Sequence, residues 1–348
     1  MAQRRILAWI GLGLLVSSAC GESTGTAGSE RSRSPGVRQT KVVVTHYPTL
    51  MYSVPWIVGM EKGIFEQEGV KITEVISGKG GGNTLRNMLT SRVPVGEIAA
   101  NAAVDGWEAG APVAVVGGGV QTMGEFAIVT RPDVPASELK DVDGLKWGFT
   151  SPGSVTEGII HFATTKVEGL SPGAVKPVAT GGIGEGITFL FEKTIDVMSV
   201  PDPVYAQKKD QFKLLGRGDA IVPWYQQSLL VTSPQMLQEE PALVEAILSG
   251  YRKSVEYVEG RPDEAAELYA KTAELDLEVA RASVATAVER DHWGVGIKRE
   301  ALETVGQSIA LTPGGPFPDG VPWAEIVDPR FLRKGAIPYE LPPDPEKK

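Results

Sequence analysis

Apolar residues along this chain recur with two periods, and the order in which those periods alternate predicts the architecture. A β-branched run at 42–44 precedes 54–68, where Trp56, Ile57, Met60 and Ile64 fall at helical spacing until Gly69 ends the helix. A strand over 70–76, a glycine-rich turn over 78–82 and a helix with Leu85, Met88 and Leu89 on one face follow. Short apolar runs at 95–99 and 113–116 read as buried strands, with a short helix over 105–109 between them. After Pro135 a similar series begins: strand 145–149, helix 154–167, strand 175–179, helix 185–193 and strand 195–200. Two successive units of this kind predict α/β lobes built on parallel sheets with helices on both faces. Segments 126–130 and 229–232 read as the extended connections leaving and returning to the first unit. From 243 onward the pattern is helical, with Leu243, Val244, Ile247, Leu248, Tyr251, Val255 and Val258 at i, i+3, i+4 spacing. Further helices are predicted over 263–273, 277–289 and 299–310. The tail, 341–348, is proline-rich and expected to be extended.

The expected domains are therefore lobe I over 41–129 plus 232–340 and lobe II over 130–231, joined by two crossovers. A length of 348 residues agrees with two domains at about 150 residues each.

The N-terminus reads as export machinery rather than fold. Arg4 and Arg5 precede an apolar stretch over 6–16, then Ser17, Ser18 and Ala19, then Cys20, the only cysteine. The stretch is shorter than the roughly 20 residues a spanning helix needs, and small residues at its end suit a signal peptidase. Residues 1–19 are thus the expected signal peptide. A sole cysteine directly after them resembles a bacterial lipoprotein lipobox, which implies acylation of Cys20; an ordinary secretory signal with an incidental cysteine is the alternative. Residues 20–40 would then be a lipidated cysteine and a flexible tether, rich in Gly, Ser, Thr, Glu and Arg, reaching roughly 25 Å. The expected location is extracytoplasmic, lipid-anchored to the outer face of the bacterial cytoplasmic membrane.

Charge and composition then remove function classes. The chain carries 34 basic and 43 acidic side chains; without Arg4 and Arg5 the balance is 32 against 43, a net −11. No basic cluster offers a nucleic-acid face. His46, His161 and His292 are far apart and unaccompanied by a second cysteine, so neither a metal nor another cofactor is expected. Gly-x-Ser-x-Gly is absent.

Two strand-to-helix turns carry candidate chemistry, because helix N-termini present unpaired N–H groups and a positive dipole end to an anion. They are 77–83, containing Gly80, Gly81 and Gly82, and 150–154, containing Ser151, Gly153 and Ser154. Neither is a nucleotide motif: the first lacks a Gly-Lys-Ser/Thr ending, and 182–186 has the wrong spacing for a dinucleotide fingerprint. On equivalent edges of two α/β units, they mark the position where ligands bind outside the carboxyl ends of parallel strands.

These residues resemble the extracytoplasmic solute-binding proteins of ABC importers, in the branch handling nitrate, taurine, alkanesulfonates and thiamine-type pyrimidines. The resemblance runs over most of 41–290. Lys62-Gly63-Ile64-Phe65 and Gly69 match its first helix, Gly80-Gly81-Gly82 its glycine loop, Thr150 to Ser154 its second-domain opening, and Asp202-Pro203 a later helix start. It implies a type II periplasmic-binding fold, two α/β lobes with two crossovers, and a cleft lined by Tyr47, Pro48, Thr49, the glycine loop, Asn101 and Ser151 to Thr156. Tyr52, Trp224 and Tyr225 are candidate walls, with helix packing the alternative for Tyr52 and burial in the hinge the alternative for Trp224. Trp56 reads as core, and Asp202 as a helix N-cap before a first-position proline rather than a cation ligand. The fungal enzyme branch of the same superfamily carries a cysteine-rich motif that this chain lacks, so no enzyme is expected. An ABC permease and ATPase are the implied partners. The solute would be a small anion such as a sulfonate, carboxylate or nitrate, or a planar pyrimidine or aromatic acid, with an organic solute favoured. The rival class is a tethered sensor or adhesion module presenting a ligand-dependent surface to a receptor.

Overall fold

The computed structural model describes residues 36–152, 154–311, 317, 320–332 and 341–343. The expected signal peptide, Cys20, the tether before residue 36, Gly153 and residues 344–348 of the tail lie outside them.

The first lobe begins with β1 (Arg38–Thr45), α1 (Ser53–Glu61), α2 (Ile64–Gln67), β2 (Val70–Gly78), α3 (Gly81–Ser91), β3 (Gly96–Ala99), α4 (Ala100–Glu108) and β4 (Ala114–Gly118). The second lobe holds β5 (Phe126–Thr130), β6 (Lys146–Phe149), α5 (Val155–Lys166), β7 (Lys176–Ala179), α6 (Ile183–Phe191), β8 (Val197–Pro201), α7 (Val204–Lys208) and β9 (Lys213–Arg217). The chain then returns through β10 (Ser228–Thr232) and closes with α8 (Pro234–Glu239), α9 (Pro241–Gly260), α10 (Pro262–Ala273), α11 (Leu277–Glu289), α12 (Arg299–Leu311) and α13 (Trp323–Ile326). The helix expected over 54–68 is two helices, because Gly63 adopts a left-handed φ of 65° that interrupts the ladder.

Two five-stranded sheets result, in the orders β2-β1-β3-β10-β4 and β7-β6-β8-β5-β9. The fold is the two-lobed α/β fold of type II periplasmic binding proteins. Each sheet departs from the all-parallel expectation in the same way. β1 pairs in parallel with β2 and β3, whereas β10 runs antiparallel to β3 and β4; β6 pairs in parallel with β7 and β8, whereas β5 runs antiparallel to β8 and β9.

The antiparallel strands are the two segments read as connections, and both belong to the opposite sheet from the one the expected boundaries gave them. Phe126 to Thr130 pairs along its whole length with Pro201 to Val197, so a boundary at 129/130 would cut β5 from its own ladder. Leu229 pairs with Ile98 and Gly118 in the first sheet, so 228–232 is not lobe II. The connections are instead 119–125 and 218–227, and both β5 and β10 are completely buried. Helix α12 belongs to neither lobe alone, since it packs on α4 and on α5.

The core of the first lobe collects around Trp56, which is fully buried, stacks on Phe65 at 5.7 Å and donates from Nε1 to Glu97 Oε2 at 2.6 Å. Among the described residues no helix is long and apolar enough to cross a membrane.

Candidate functional site

Between the two lobes lies a cavity of about 400 Å3. From the first lobe it is lined by Thr45 at the end of β1 and His46 after it, Leu50, Tyr52, residues 79–82 and Leu85 of the turn into α3 and its first turns, Ala99 at the end of β3, and Ala102, Asp105 and Gly106 on α4. From the second come Phe126, Thr150 to Pro152, Ser154 to Thr156, and Gly181 to Ile183.

Of the helices that begin at this cavity, three follow strand-to-helix turns rich in Gly or Ser, and they begin differently. Helix α3 has Gly80 as its N-cap, no side-chain cap and no acidic residue in its first turn, so its first N–H groups and positive dipole end are unspent. Helix α6 also starts from a glycine, Gly182, without a side-chain cap, but Glu185 in its first turn folds back beside that glycine. Helix α5 is capped by Ser154, whose Oγ accepts from Glu157 N at 3.3 Å. Thr156 Oγ1 accepts from Thr150 N at 2.9 Å and lies 2.9 Å from Ser154 Oγ, giving a fixed cluster of hydroxyls at that wall.

Helix α3 reaches the cavity because two glycines let it lie almost backbone to backbone on α4. A Cβ at Gly81 would stand 2.5 Å from the Cβ of Ala102 and 2.9 Å from that of Ala99; one at Gly106 would stand 2.2 Å from Leu85 Cδ2. From the N-cap of α4 onward the cavity-facing residues recur at i, i+3 and i+6, namely Ala99, Ala102 and Asp105.

Charges in the cavity are few. Lys79 stands at the start of α3, and Asp105 is exposed to the solvent filling the cleft; the surrounding walls and then Glu108 raise its pKa. Burial lowers the pKa of His46, which favours the neutral ring. Tyr52 is buried and donates to Gln227 Oε1 at 2.8 Å; burial holds its phenol well above the usual range. On β3, the buried Glu97 accepts from Trp56 and from Ser228 Oγ at 2.7 Å, and burial pushes its carboxyl up to about 7. Farther back, at the start of β5, burial pushes Glu125 up to about 8. Among the described residues no group of three or more His, Cys, Asp or Glu is placed to hold a metal ion.

The profile of the family described as NMT1/THI5 like matches residues 51–265, more than half of the chain and parts of both lobes. The chain belongs to the NMT1/THI5-like family. Among solved structures, the periplasmic aliphatic sulphonate binding protein SsuA of Escherichia coli superimposes with a TM-score of 0.69 at 16% identity, over 88% of this chain and 97% of that one. The alkanesulfonate-binding protein SsuA of Xanthomonas axonopodis pv. citri, bound to MOPS, gives 0.67 at 14%, over 84% and 99%. The periplasmic nitrate-binding protein NrtA of Synechocystis PCC 6803 gives 0.57 at 13%, over 70% and 69%. A search of curated proteins returns no match.

Within this NMT1/THI5-like chain, the cavity brings together Tyr52, Gly80, Gly81, Gly82, Ser151, Ser154 and Thr156 of the expected site. Tyr47 and Thr49 line a neighbouring groove with Lys79, Val204 and Lys208, and Thr49 O accepts from the Tyr269 hydroxyl; Pro48 lines neither hollow.

Three expected residues, Asn101, Trp224 and Tyr225, fall elsewhere. Asn101 is buried on the far face of α4, where its Oδ1 accepts from Tyr225 OH at 2.8 Å and its Nδ2 approaches Ser308 on α12 at 3.5 Å. It ties α4 to the crossover and to α12, and the fully buried Tyr225 is part of that tie rather than a wall. Trp224 faces a separate hollow with Thr122, Asp219 and Arg290, beneath Lys298 Nζ at 3.4 Å from its ring. The N-cap position of α7 is Pro203 rather than Asp202, whose Oδ2 accepts from Arg217 Nη1 at 2.6 Å and whose carboxyl also interacts with the backbone N–H of Ala206 in the first turn of α7.

Lys79 lies within the 77–83 turn that the sequence singles out, but sequence reasoning missed Asp105 and the start of α6. The last had a signal: Thr180-Gly181-Gly182 stands between a strand and a helix like the other two turns, but 182–186 was weighed only as a nucleotide fingerprint.

Proposed function

We propose that the protein is the extracytoplasmic solute-binding component of an ABC importer, holding a small organic solute between its lobes and breaking no bond. The observation that carries this reading is the convergence of helix N-termini from both lobes, among them α3 from the first and α5 and α6 from the second, on one cavity of about 400 Å3. That volume falls within the range of small-molecule pockets. A solute touching both walls binds the closed arrangement better than the open one, and so shifts the population toward closure.

The ligand class that fits carries an acidic or strongly accepting group for the helix starts and an organic body for Leu50, Leu85, Phe126, Val155 and Ile183. Sulfonates, carboxylates and pyrimidine-like heterocycles meet both demands. Structural likeness to sulfonate- and nitrate-binding proteins supports the same direction. Under this reading Cys20 carries a lipid anchor, 21–40 tethers the lobes to the outer face of the cytoplasmic membrane, and a permease with its ATPase accepts the closed form.

The test is a thermal-shift screen of purified protein, unfolded and refolded to strip bound solute, against sulfonates, nitrate, carboxylates, aromatic acids and pyrimidines. A ligand at 100 times its Kd adds about 2.7 kcal/mol, a shift of several degrees. No shift from any member, with the protein folded, would overturn the reading.

A further inference from the structure

The outgoing crossover changes lobes within two residues. Thr122 is tied to the first lobe, since its Oγ1 lies 3.0 Å from His292 Nδ1 and the neighbouring Gln121 N donates to His292 O at 2.9 Å. His292 itself follows α11, between Ala287 and Trp293 of the first-lobe core. Glu125 is tied to the second lobe, since its carbonyl accepts from Asp202 N at 3.0 Å and from Arg217 Nη1 at 3.3 Å. Between them stand Met123 and Gly124. Gly218 of the return crossover packs on the same point, where a Cβ would stand 2.6 Å from Met123 O. A rotation of one lobe against the other is therefore absorbed here.

The side chain of Glu125 reaches back across this boundary. Its Oε2 faces His292 Nε2 at 3.9 Å, and both side chains are buried, at 1% and 0% exposure. Among the described residues neither carboxyl oxygen nor His292 Nε2 makes a hydrogen bond of good geometry, although the Gln227 amide of the return crossover approaches the carboxyl. Around it stand Tyr52 at the start of α1, Glu97 on β3, Asp202 after β8, Arg217 on β9 and Tyr269 on α10. Arg217, the cation of this set, is paired with Asp202 at 2.6 Å, and Arg290 at the end of α11 is paired with Asp219. An ionised Glu125 would thus be a buried charge beside two other acids, with the nearby cation already engaged. The burial that pushes Glu125 up to about 8 also holds His292 down to about 3, so the ring facing it is neutral.

We propose that Glu125 and His292 form a proton-dependent latch across the hinge: the protonated carboxyl donates to His292 Nε2 and holds the lobes as they stand here, and loss of that proton drives them apart. The geometry supplies the coupling. The two groups are anchored in different lobes, so separation of the lobes lets water reach the carboxylate, whereas no rearrangement within one lobe does so. The sign follows from linkage. A carboxyl whose pKa is raised in the latched form favours that form at low pH and ceases to favour it as pH rises from about 4.5, where an exposed glutamate titrates, to about 8. Within that window each pH unit shifts the ratio of latched to open forms by up to about tenfold, and above it the ratio is constant. On the two-lobed binding reading above, a solute that prefers the latched form is held more weakly as pH rises.

Small-angle scattering of the full chain, without solute, tests the latch. The radius of gyration should increase between about pH 5.5 and about pH 8.5 and then stop changing, with cooperative urea unfolding retained throughout. Glu125→Gln keeps the shape and a donor for His292 Nε2 but cannot ionise, so its radius should stay at the low-pH value. Glu97→Gln removes the other buried carboxyl, whose partners Trp56, Tyr251 and Ser228 lie within the first lobe and β10, and should leave the expansion in place. The native chain has three histidines, so 15N spectra provide a reading that needs no variant: the His292 Nε2 resonance should move in step with the radius while the ring stays neutral. A native radius that is constant over this range overturns the latch. An expansion that survives Glu125→Gln, disappears in Glu97→Gln, leaves the His292 resonance unmoved or coincides with loss of cooperative unfolding does the same. None of these readings involves a solute, so failure of the latch leaves the binding function standing, and failure of the solute screen leaves the latch standing.

Discussion

The start of α3 in the first lobe and the start of α5 in the second face the same cavity and are built on opposite plans. At α3 the chain offers three glycines, no capping side chain and no acid in the first turn. At α5 it offers Ser154, Thr156 and Thr150, whose hydroxyls already meet the backbone and one another, with Glu157 in the first turn. The first plan leaves N–H groups for a guest and depends on close helix packing to hold them in place. The second satisfies itself and presents a preformed hydroxyl surface. One lobe therefore has an uncapped helix start that costs stability while its N–H groups lack a partner, and the other a self-satisfied wall that does not.

The largest effect expected from this contrast is at Gly81. Gly81→Val would drive its side chain into the Cβ atoms of Ala102 and Ala99, neither of which can rotate away, at a cost near the upper end of overpacking, about 3 kcal/mol. It would also move the α3 start off the cavity. Urea unfolding should register the lost stability and calorimetry the lost binding. A stable variant that still binds would show that helix contact does not position the site. Gly106→Ala is milder, since the atom it meets is the movable end of Leu85.

A smaller effect is expected at Ser154. Ser154→Ala removes the α5 cap and should cost about 1 kcal/mol, a fall of roughly 1–2 °C in Tm, with solute affinity nearly unchanged because the backbone N–H groups stay. An unchanged Tm with a large loss of affinity would reverse the assignment and make the Ser154 hydroxyl a ligand contact.

Both turns were readable from sequence. Strand–turn–helix punctuation located both, because Gly and Ser/Thr clusters between apolar runs mark chain reversals whatever the fold around them. Sheet membership was not readable in the same way. Phe126 to Thr130 is a short apolar run like 113–116, and nothing in a run says which sheet will supply its hydrogen-bond partners. Asn101 and Asp105 show the same limit on one helix. Both are polar residues on α4, and which of them meets the cleft is decided by where α3 docks, a contact between Gly81 and Ala102 that no local pattern encodes. Trp224 was misplaced for an equivalent reason, since its partner Lys298 comes from a distant stretch of chain.

The finest test converts one plan into the other at a single position. Gly80 has an extended backbone, φ 161° and ψ 166°, which any residue can adopt, and a Cβ there would meet nothing within 4 Å. Gly80→Asp therefore fits without strain, and its carboxylate can accept from the N–H groups two or three residues on, as Ser154 does at α5. The gain over glycine at an N-cap is only a few tenths of a kcal/mol, with a further few tenths from the dipole, so Tm should rise by about a degree or two. Binding should move the other way, because the new carboxylate occupies the donors and repels the acid group, weakening affinity roughly tenfold or more. Opposite signs for stability and affinity at a position that touches no other residue are what an anion site kept open at a stability cost requires. A variant that gains stability and keeps its affinity would assign the solute's acid group to the hydroxyl wall of α5 instead.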